Sequence, residues 1–337
     1  MTRYLFSRLL ATLLTLLAAS AVVFAVLEVL PGNAAQVLMG PDADAAAVAA
    51  KARELGLDRP AAARYAQWLG ELLRGQMGLS YAYGTPVAAL VAERLAVTVP
   101  LALAASALAC ALALAAGVCA AWQRGRWADA ALMALSQAGM AVPGFWFAML
   151  LVLLFAVKLQ WFAAGGFAGW DFSRGALAGL LAGLRSLALP ALALALVQAA
   201  ALGSTQAALI ARMTRAAMAE VLDQNFIRTL VAKGMRGRVV VGVHALRNAL
   251  APVLTVAAMQ LAELLAGAIV MENVFSLPGL GRLMFQAIGN RDLAVVRNGV
   301  MLLVALVLLV NLAVDVAHAL IDPRLTHARR LRTGGRA

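Results

Sequence analysis

The sequence predicts an all-α, polytopic membrane protein with six transmembrane helices. Three observations carry that expectation. Of 337 residues, 64% are hydrophobic and only 13% are charged, which excludes an ordinary soluble domain. Apolar runs long enough to cross a bilayer alternate with polar connections. The basic residues also favour alternate connections. The amino end, the 123–130 and 211–247 loops and the carboxyl tail carry 16 basic and 4 acidic residues; the other connections, with Lys158, carry 12 and 9. That is the positive-inside bias, which places the first set, both termini included, in the cytoplasm. The net charge of +12 therefore reports topology, and no nucleic-acid partner is expected.

The first division, residues 1–30, is a cytoplasmic amino end and a span. Arg3 and Arg8 precede the apolar run Leu9–Leu30. Ala19-Ser20-Ala21 resembles a signal-peptide cleavage site, but the run continues well past it to Pro31, favouring a retained span. Residues 31–97 form an extracytoplasmic helical segment. Pro41-Asp42 opens an alanine-rich helix to Leu55, Gly56 to Pro60 ends it, and a second helix, Ala61–Leu73, carries Tyr65 and Trp68. After the glycine-rich turn GQMGLSYAYGTPV, a third helix from Val87 leads into the membrane. A stretch this short makes a cap rather than an independent domain.

Residues 98–322 supply the remaining five spans. The second runs over Thr98–Trp122 and holds both cysteines, Cys110 and Cys119, on opposite sides of a helix, so neither a disulfide nor a metal site is expected. The third, Ala131–Val157, carries Pro143-Gly144 at mid-depth, where proline kinks a helix, either for packing or for a pathway. Residues 159–186 read as an outer loop with Trp161 and Trp170 at the interface. The fourth span, Leu187–Ile210, is rich in alanine, broken by Gly203, and contains Gln198, whose amide needs a partner inside the bundle. In the fifth, Ala251–Met271, Gln260 and Glu263 share a face, and Glu263 lies about 18 Å along the helix, near mid-bilayer. An ionisable group there is costly; it either lines a pathway or packs as a hydrogen-bonded carboxyl. The sixth, Gly299–Leu320, contains Asp315, read either as a packing or gating partner or as simply exposed at the interface. Residues 323–337 are a basic tail. Ser276 to Gly281 reads as a turn, with no phosphate-binding GKS/T after it.

The segment 211–250 stands apart. In EVLDQNFIRTLVAKG, from Glu220 to Gly234, a helical register aligns Val221, Leu222, Asn225, Phe226, Thr229 and Leu230 as an apolar stripe, with Asp223, Gln224, Arg228 and Lys233 elsewhere. Such a helix can lie on lipid or dock into a partner's groove. Together with HALRNALAPVLT from His244, this segment resembles the cytoplasmic signature loop of ABC-importer permeases of the dipeptide/oligopeptide/nickel family. The likeness covers Glu220, Val221, Leu222, Arg228, Thr229, Ala232, Lys233 and Gly234, and departs at Asn225 and Phe226, where the family usually has Asp-Tyr, and at Leu230, usually small. LGLDRP, RGQMGLS (with Gln76 for the usual Asp), ENVFSLPGLGRL and NLAVDVAHALIDPRL extend it over nearly the whole chain.

The resemblance implies the type I ABC importer permease fold in a cell inner membrane. It implies a coupling loop at Glu220, Asp223, Asn225, Phe226, Arg228, Thr229, Ala232, Lys233 and Gly234, docked on an ATP-hydrolysing subunit. The implied partners are a second homologous permease, two ATP-binding subunits and a soluble binding protein. The implied cargo is peptides, with nickel or metal chelates, glutathione or haem as alternatives within the family. Gln198, Gln260, Glu263 and Asp315 are the candidate pathway residues; Glu263 departs from the family, which commonly has a small residue there. The chain itself has no catalytic constellation and no nucleotide-binding motif, its three histidines being dispersed, so no enzyme activity, metal or cofactor is expected. The competing class is a stand-alone channel or sensor whose basic helix binds lipid.

Overall fold

The computed structural model describes residues 2–29, 34–40, 43–54, 56–123, 125–127, 131, 143–170, 173, 176–200, 207–250, 253 and 267–321. Among them every regular element is helical apart from one isolated bridge between Leu79 and Pro86. Among the described residues four helices are long and apolar enough to cross a membrane, and a shorter apolar one covers Gly144–Lys158. Most of the expected fifth span, with Gln260 and Glu263, and the start of the third lie outside the described residues.

One compact unit joins residues 1–97 to 278–312. Its first helix, α1 (Thr2–Val29), starts before the expected Leu9, because nothing between Arg3 and Arg8 interrupts helical hydrogen bonding. Phe6, Leu9, Leu10, Leu13, Leu14 and Leu17 are exposed, as befits a helix whose outer surface meets hydrocarbon. Ser20, in the tract that resembles a cleavage site, is instead a packing point: it is buried and shares a 2.7 Å hydrogen bond with the Tyr65 hydroxyl. A short α2 (Ala34–Met39), not expected from the sequence, precedes α3 (Ala45–Glu54) and α4 (Ala61–Leu73). α4 packs on α1 through Phe24, Tyr65 and Trp68, whose ring centroids lie 5.4 to 6.1 Å apart.

The third expected helix and the second span prove to be one rod, α5 (Val87–Trp122), with Pro100 inside it. Its first turns, through Val87 and Val91, share a core with Leu280, Leu283, Met284 and Ala287 of α12 (Leu280–Gly289) and with Val295 and Val296 of α13 (Leu293–Ile321). Two departures occur here. The predicted turn over 276–281 ends at Gly279, since Leu280 and Gly281 already belong to α12, and the last helix starts at Leu293 rather than Gly299.

The reason for the early start is Asp292. Fully buried, it caps α13 by accepting the Val295 N–H at Oδ1 (3.2 Å), while Oδ2 accepts from the Ser80 hydroxyl (2.5 Å) and the Ala82 N–H (3.1 Å). Six residues on, Asn298 donates to the Met77 and Ala294 carbonyls and accepts the Trp68 indole N–H at 3.0 Å. These two side chains fasten the 76–86 turn and α4 to the head of α13.

α12 ends in a Schellman motif: Arg291 N–H reaches the Ile288 carbonyl and Asp292 N–H the Ala287 carbonyl. Arg291 sits there at φ 53°, a conformation that favours glycine. Arg291→Gly is expected to raise stability by up to about 1 kcal/mol, read as a higher midpoint of thermal unfolding in detergent. An unchanged or lower midpoint would show that the arginine side chain compensates for its backbone.

The other unit joins residues 98–277 to 313–337. It contains the rest of α5, α6 (Gly144–Leu151, running on as a π-helical stretch Val152–Lys158) and α7 (Ala176–Ala200). Pro143 is extended (φ −59°, ψ 131°) just ahead of α6, so the described helix starts after it rather than bending around it. α7 begins at Ala176, inside the expected outer loop, because the 176–186 stretch lacks proline and carries alanine and leucine at most positions. The loop before it is anchored on residues 272–277. Gly166 N–H bonds the Phe275 carbonyl at 2.9 Å, and a Cβ on Gly165 would stand 2.5 Å from the same oxygen. Buried Glu272, on α11 (267–274), accepts the Thr98 hydroxyl at 2.5 Å.

Candidate functional site

Three further elements of this second unit follow α7: α8 (Ala207–Leu222), α9 (Asn225–Ala232) and α10 (Gly237–Val239, continuing as the π-helical Val240–Ala245). With the end of α5 they enclose a small core of Ala121, Met218, Val221, Ile227, Val240, Val241, Ala245 and Ala249. α8 reaches α5 at Gly117, where an added Cβ would lie 2.6 Å from Thr214 Cβ and 2.7 Å from the Ala211 carbonyl oxygen. Only a residue without a side chain permits that approach.

The structure corrects the predicted stripe. Glu220 to Leu230 is not one helix: Gln224 is extended (φ −75°, ψ 152°), so α8 stops at Leu222 and α9 restarts at Asn225. The restart resets the register. α9 turns Ile227 inward, 6% exposed, with Leu230 partly buried beside it, while Asn225, Phe226 and Thr229 remain exposed. The outward side of α9 therefore carries Asn225, Arg228, Thr229 and Ala232, flanked by Phe226 and Val231, which are 36% and 58% exposed. Ile227 and Val231 were absent from the predicted stripe, although the three-residue spacing of Ile227 and Leu230 marks a short inward face.

Gly234 ends α9. At φ 77° it donates to the Val231 carbonyl while Met235 N–H returns to Leu230, a Schellman motif that packs Met235 and Leu230 on the same core. Lys233, Arg236 and Arg238 follow on the exposed side, with Glu220 and Asp223 at the other end of the segment. None of these charges, nor Arg228, forms an ion pair with another described residue. The segment thus presents a rigid helix–turn–helix edge with free cations and two uncovered apolar side chains.

The proposed pathway residues fare differently. Gln198 lies on α7, and Asp315 is half-buried on α13. Gln260 and Glu263 lie outside the described residues.

Residues 113–327 match the family of inner membrane components of binding-protein-dependent transport systems, and residues 1–102 match the N-terminal region of such membrane components. A Brucella abortus (strain 2308) protein described as a peptide transport system permease is 39% identical over 97% of this chain and 100% of its own length. A di/tripeptide transport permease of Pseudomonas aeruginosa (strain UCBPP-PA14) is 39% identical over 91% and 93%. A glutathione transport permease of Escherichia coli O6:H1 is 35% identical over 97% and 100%. With residues 1–102 and 113–327 both matched and relatives aligned end to end, this protein belongs to the inner-membrane permease family of binding-protein-dependent transport systems.

Proposed function

We propose that the chain is one of two related permease subunits in an ABC importer that carries peptides across the inner membrane. Two separate ATP-binding subunits supply the energy, and a soluble binding protein delivers the cargo. Relatives named for peptide and di/tripeptide transport support the cargo class; the glutathione permease, whose substrate is itself a small peptide, fits it as well. Both termini and the 207–250 segment face the cytoplasm in this reading, in keeping with the arginine and lysine bias of those connections.

The observation that carries the proposal is the outward edge of α9. Phe226 and Val231 are exposed beside unpaired Arg228 and Lys233, on a helix held from beneath by Ile227. Such an edge suits an acidic-rimmed, apolar cleft on the ATPase. When nucleotide closes the ATPase pair, α9 would move with it, and the shared core would pass the motion to α8, α10 and the end of α5. The pathway then alternates between two states, each stabilised by its own ligands. Gln198, Gln260, Glu263 and Asp315 are the proposed lining, with Glu263 meeting a cationic group of the cargo.

Affinity purification of the whole importer from cells tests this. Arg228→Glu is expected to lower co-purifying ATPase about tenfold, roughly 1.4 kcal/mol, while the second permease is retained. Purification of the chain alone or as a homo-oligomer, in every detergent tried, would favour a stand-alone membrane protein instead.

A further inference from the structure

The first unit contains a cavity of about 490 Å³ that takes no part in the coupling described above. The far end of α1 (Phe24, Leu27, Glu28), α4 (Arg64, Gln67, Trp68, Glu71), the 76–81 turn and the head of α13 (Leu293, Ala294, Arg297) line it. Its volume falls in the range of small-molecule sites. Its charges are unequally used. Arg64 is paired with Glu28, and Glu71 accepts a hydrogen bond from Gln67 at 2.8 Å. Arg297 has no ion-pair partner among the described residues: its guanidinium lies 4.8 Å above the Trp68 ring, and its Nε is buried with no hydrogen-bond partner. Tyr81 adds a hydroxyl whose ionisation is pushed up by burial, against the pull of Arg297, so it stays a neutral donor.

A half-buried, forked cation whose buried Nε has no acceptor, set against an aromatic wall, calls for an oxyanion. The surroundings identify its carrier. Phe24, Leu27 and Glu28 in the cavity lining end a helix whose Leu13, Leu14, Leu17, Val22 and Val26 are 48 to 61% exposed. Trp68 and Tyr81 line the cavity together and Tyr65 packs against Trp68, an aromatic grouping of the kind found where hydrocarbon meets headgroups. An acyl chain can lie along α1 while the group it carries reaches Arg297. We propose that this cavity binds the headgroup of a membrane phospholipid, its phosphate on Arg297 and Tyr81 and an ammonium facing Glu71, so that phosphatidylethanolamine is preferred. The chemistry needs only a bilayer; which leaflet supplies the lipid follows from the topology proposed above.

Native mass spectrometry of the assembled importer from nanodiscs of mixed phosphatidylethanolamine, phosphatidylglycerol and phosphatidylcholine provides the test. Phosphatidylethanolamine is expected to stay bound, with Arg297→Gln lowering its occupancy about tenfold and Glu71→Gln removing the preference over phosphatidylglycerol without abolishing binding. Thermal unfolding of the Glu71→Gln complex serves as the folding control, since that substitution keeps the shape and the contact with Gln67. Equal occupancy by all three lipids, or no change in either variant, would overturn the proposal. So would displacement of the lipid by inorganic phosphate or by a free dipeptide at millimolar concentration, which would assign the site to a soluble anion. Loss of lipid with ATPase subunits still bound would leave the importer reading intact, so the two can fail separately.

Discussion

Gly117→Val is expected to prevent stable assembly of the importer. A Cβ at this position would fall 2.6 Å from Thr214 Cβ and 2.7 Å from the Ala211 carbonyl oxygen, distances at which something must move. The second neighbour is backbone, so no rotamer change relieves it, and α5 and α8 must part. Overpacking of this kind costs about 3 kcal/mol, and here it also opens the core beneath α9, whose members Ala121 and Met218 sit one to two turns away on the same two helices. Gly237→Ala is the matched control: nothing lies within 4 Å of its added Cβ, and the change should stay within about 0.5 kcal/mol. Size-exclusion profiles and ATPase co-purification would separate the two variants. A Gly117→Val complex that assembles and unfolds like the parent would refute the close contact.

Asp292→Ala is the second large effect. The buried carboxylate holds three donors: the Ser80 hydroxyl and the Ala82 and Val295 N–H groups. Removing it leaves two backbone donors and a hydroxyl without acceptors, at a cost of about 3 kcal/mol or more. The 76–86 turn should then detach from α13 and become open to protease, while Asp292→Asn, which keeps one carbonyl oxygen, should lose about half as much. Ser80→Ala tests the coupling: added to Asp292→Ala it should cost less than it does alone, because only its bond from the Tyr83 N–H is then left to lose. Protease-resistant 76–86 turns in Asp292→Ala would show that apolar contacts alone hold this region together.

Much of the architecture could be read from local pattern. Ala61–Leu73 forms as predicted, since Pro60 fixes its start and Gly75 follows its end. The long apolar runs declared α1 and α5, and the 211–250 segment stood apart by its charge. What periodicity could not give were features set by single residues. Extended Gln224 splits the predicted coupling helix, and that break, more than any propensity, decides that Ile227 faces in and Phe226 out. Asp292 moves the last helix's start; an aspartate ahead of an apolar run is a capping signal that span-finding by hydropathy overrides. The α5–α8 contact was legible only as an unexplained glycine within an alanine-rich span, because its partner, Thr214, is distant in sequence. The Trp68–Asn298 bond and the cavity beside it lie further still from any local signal.

That last kind of contact also sets a timetable for making the protein. Ser80 and Asp292 are 212 positions apart, and Trp68 and Asn298 are 230 apart. At roughly 5–20 residues per second, a ribosome needs on the order of 10–40 s after Ser80 has been made before Asp292 exists. Throughout that interval α4 and the 76–86 turn wait without Asn298 and Asp292, the later acceptors of the Trp68 indole N–H and the Ser80 hydroxyl. The cap is thus completed last, by the arrival of α13. A chain truncated before that helix would present quality-control proteases with an unfastened segment, even if its earlier helices were already in the membrane.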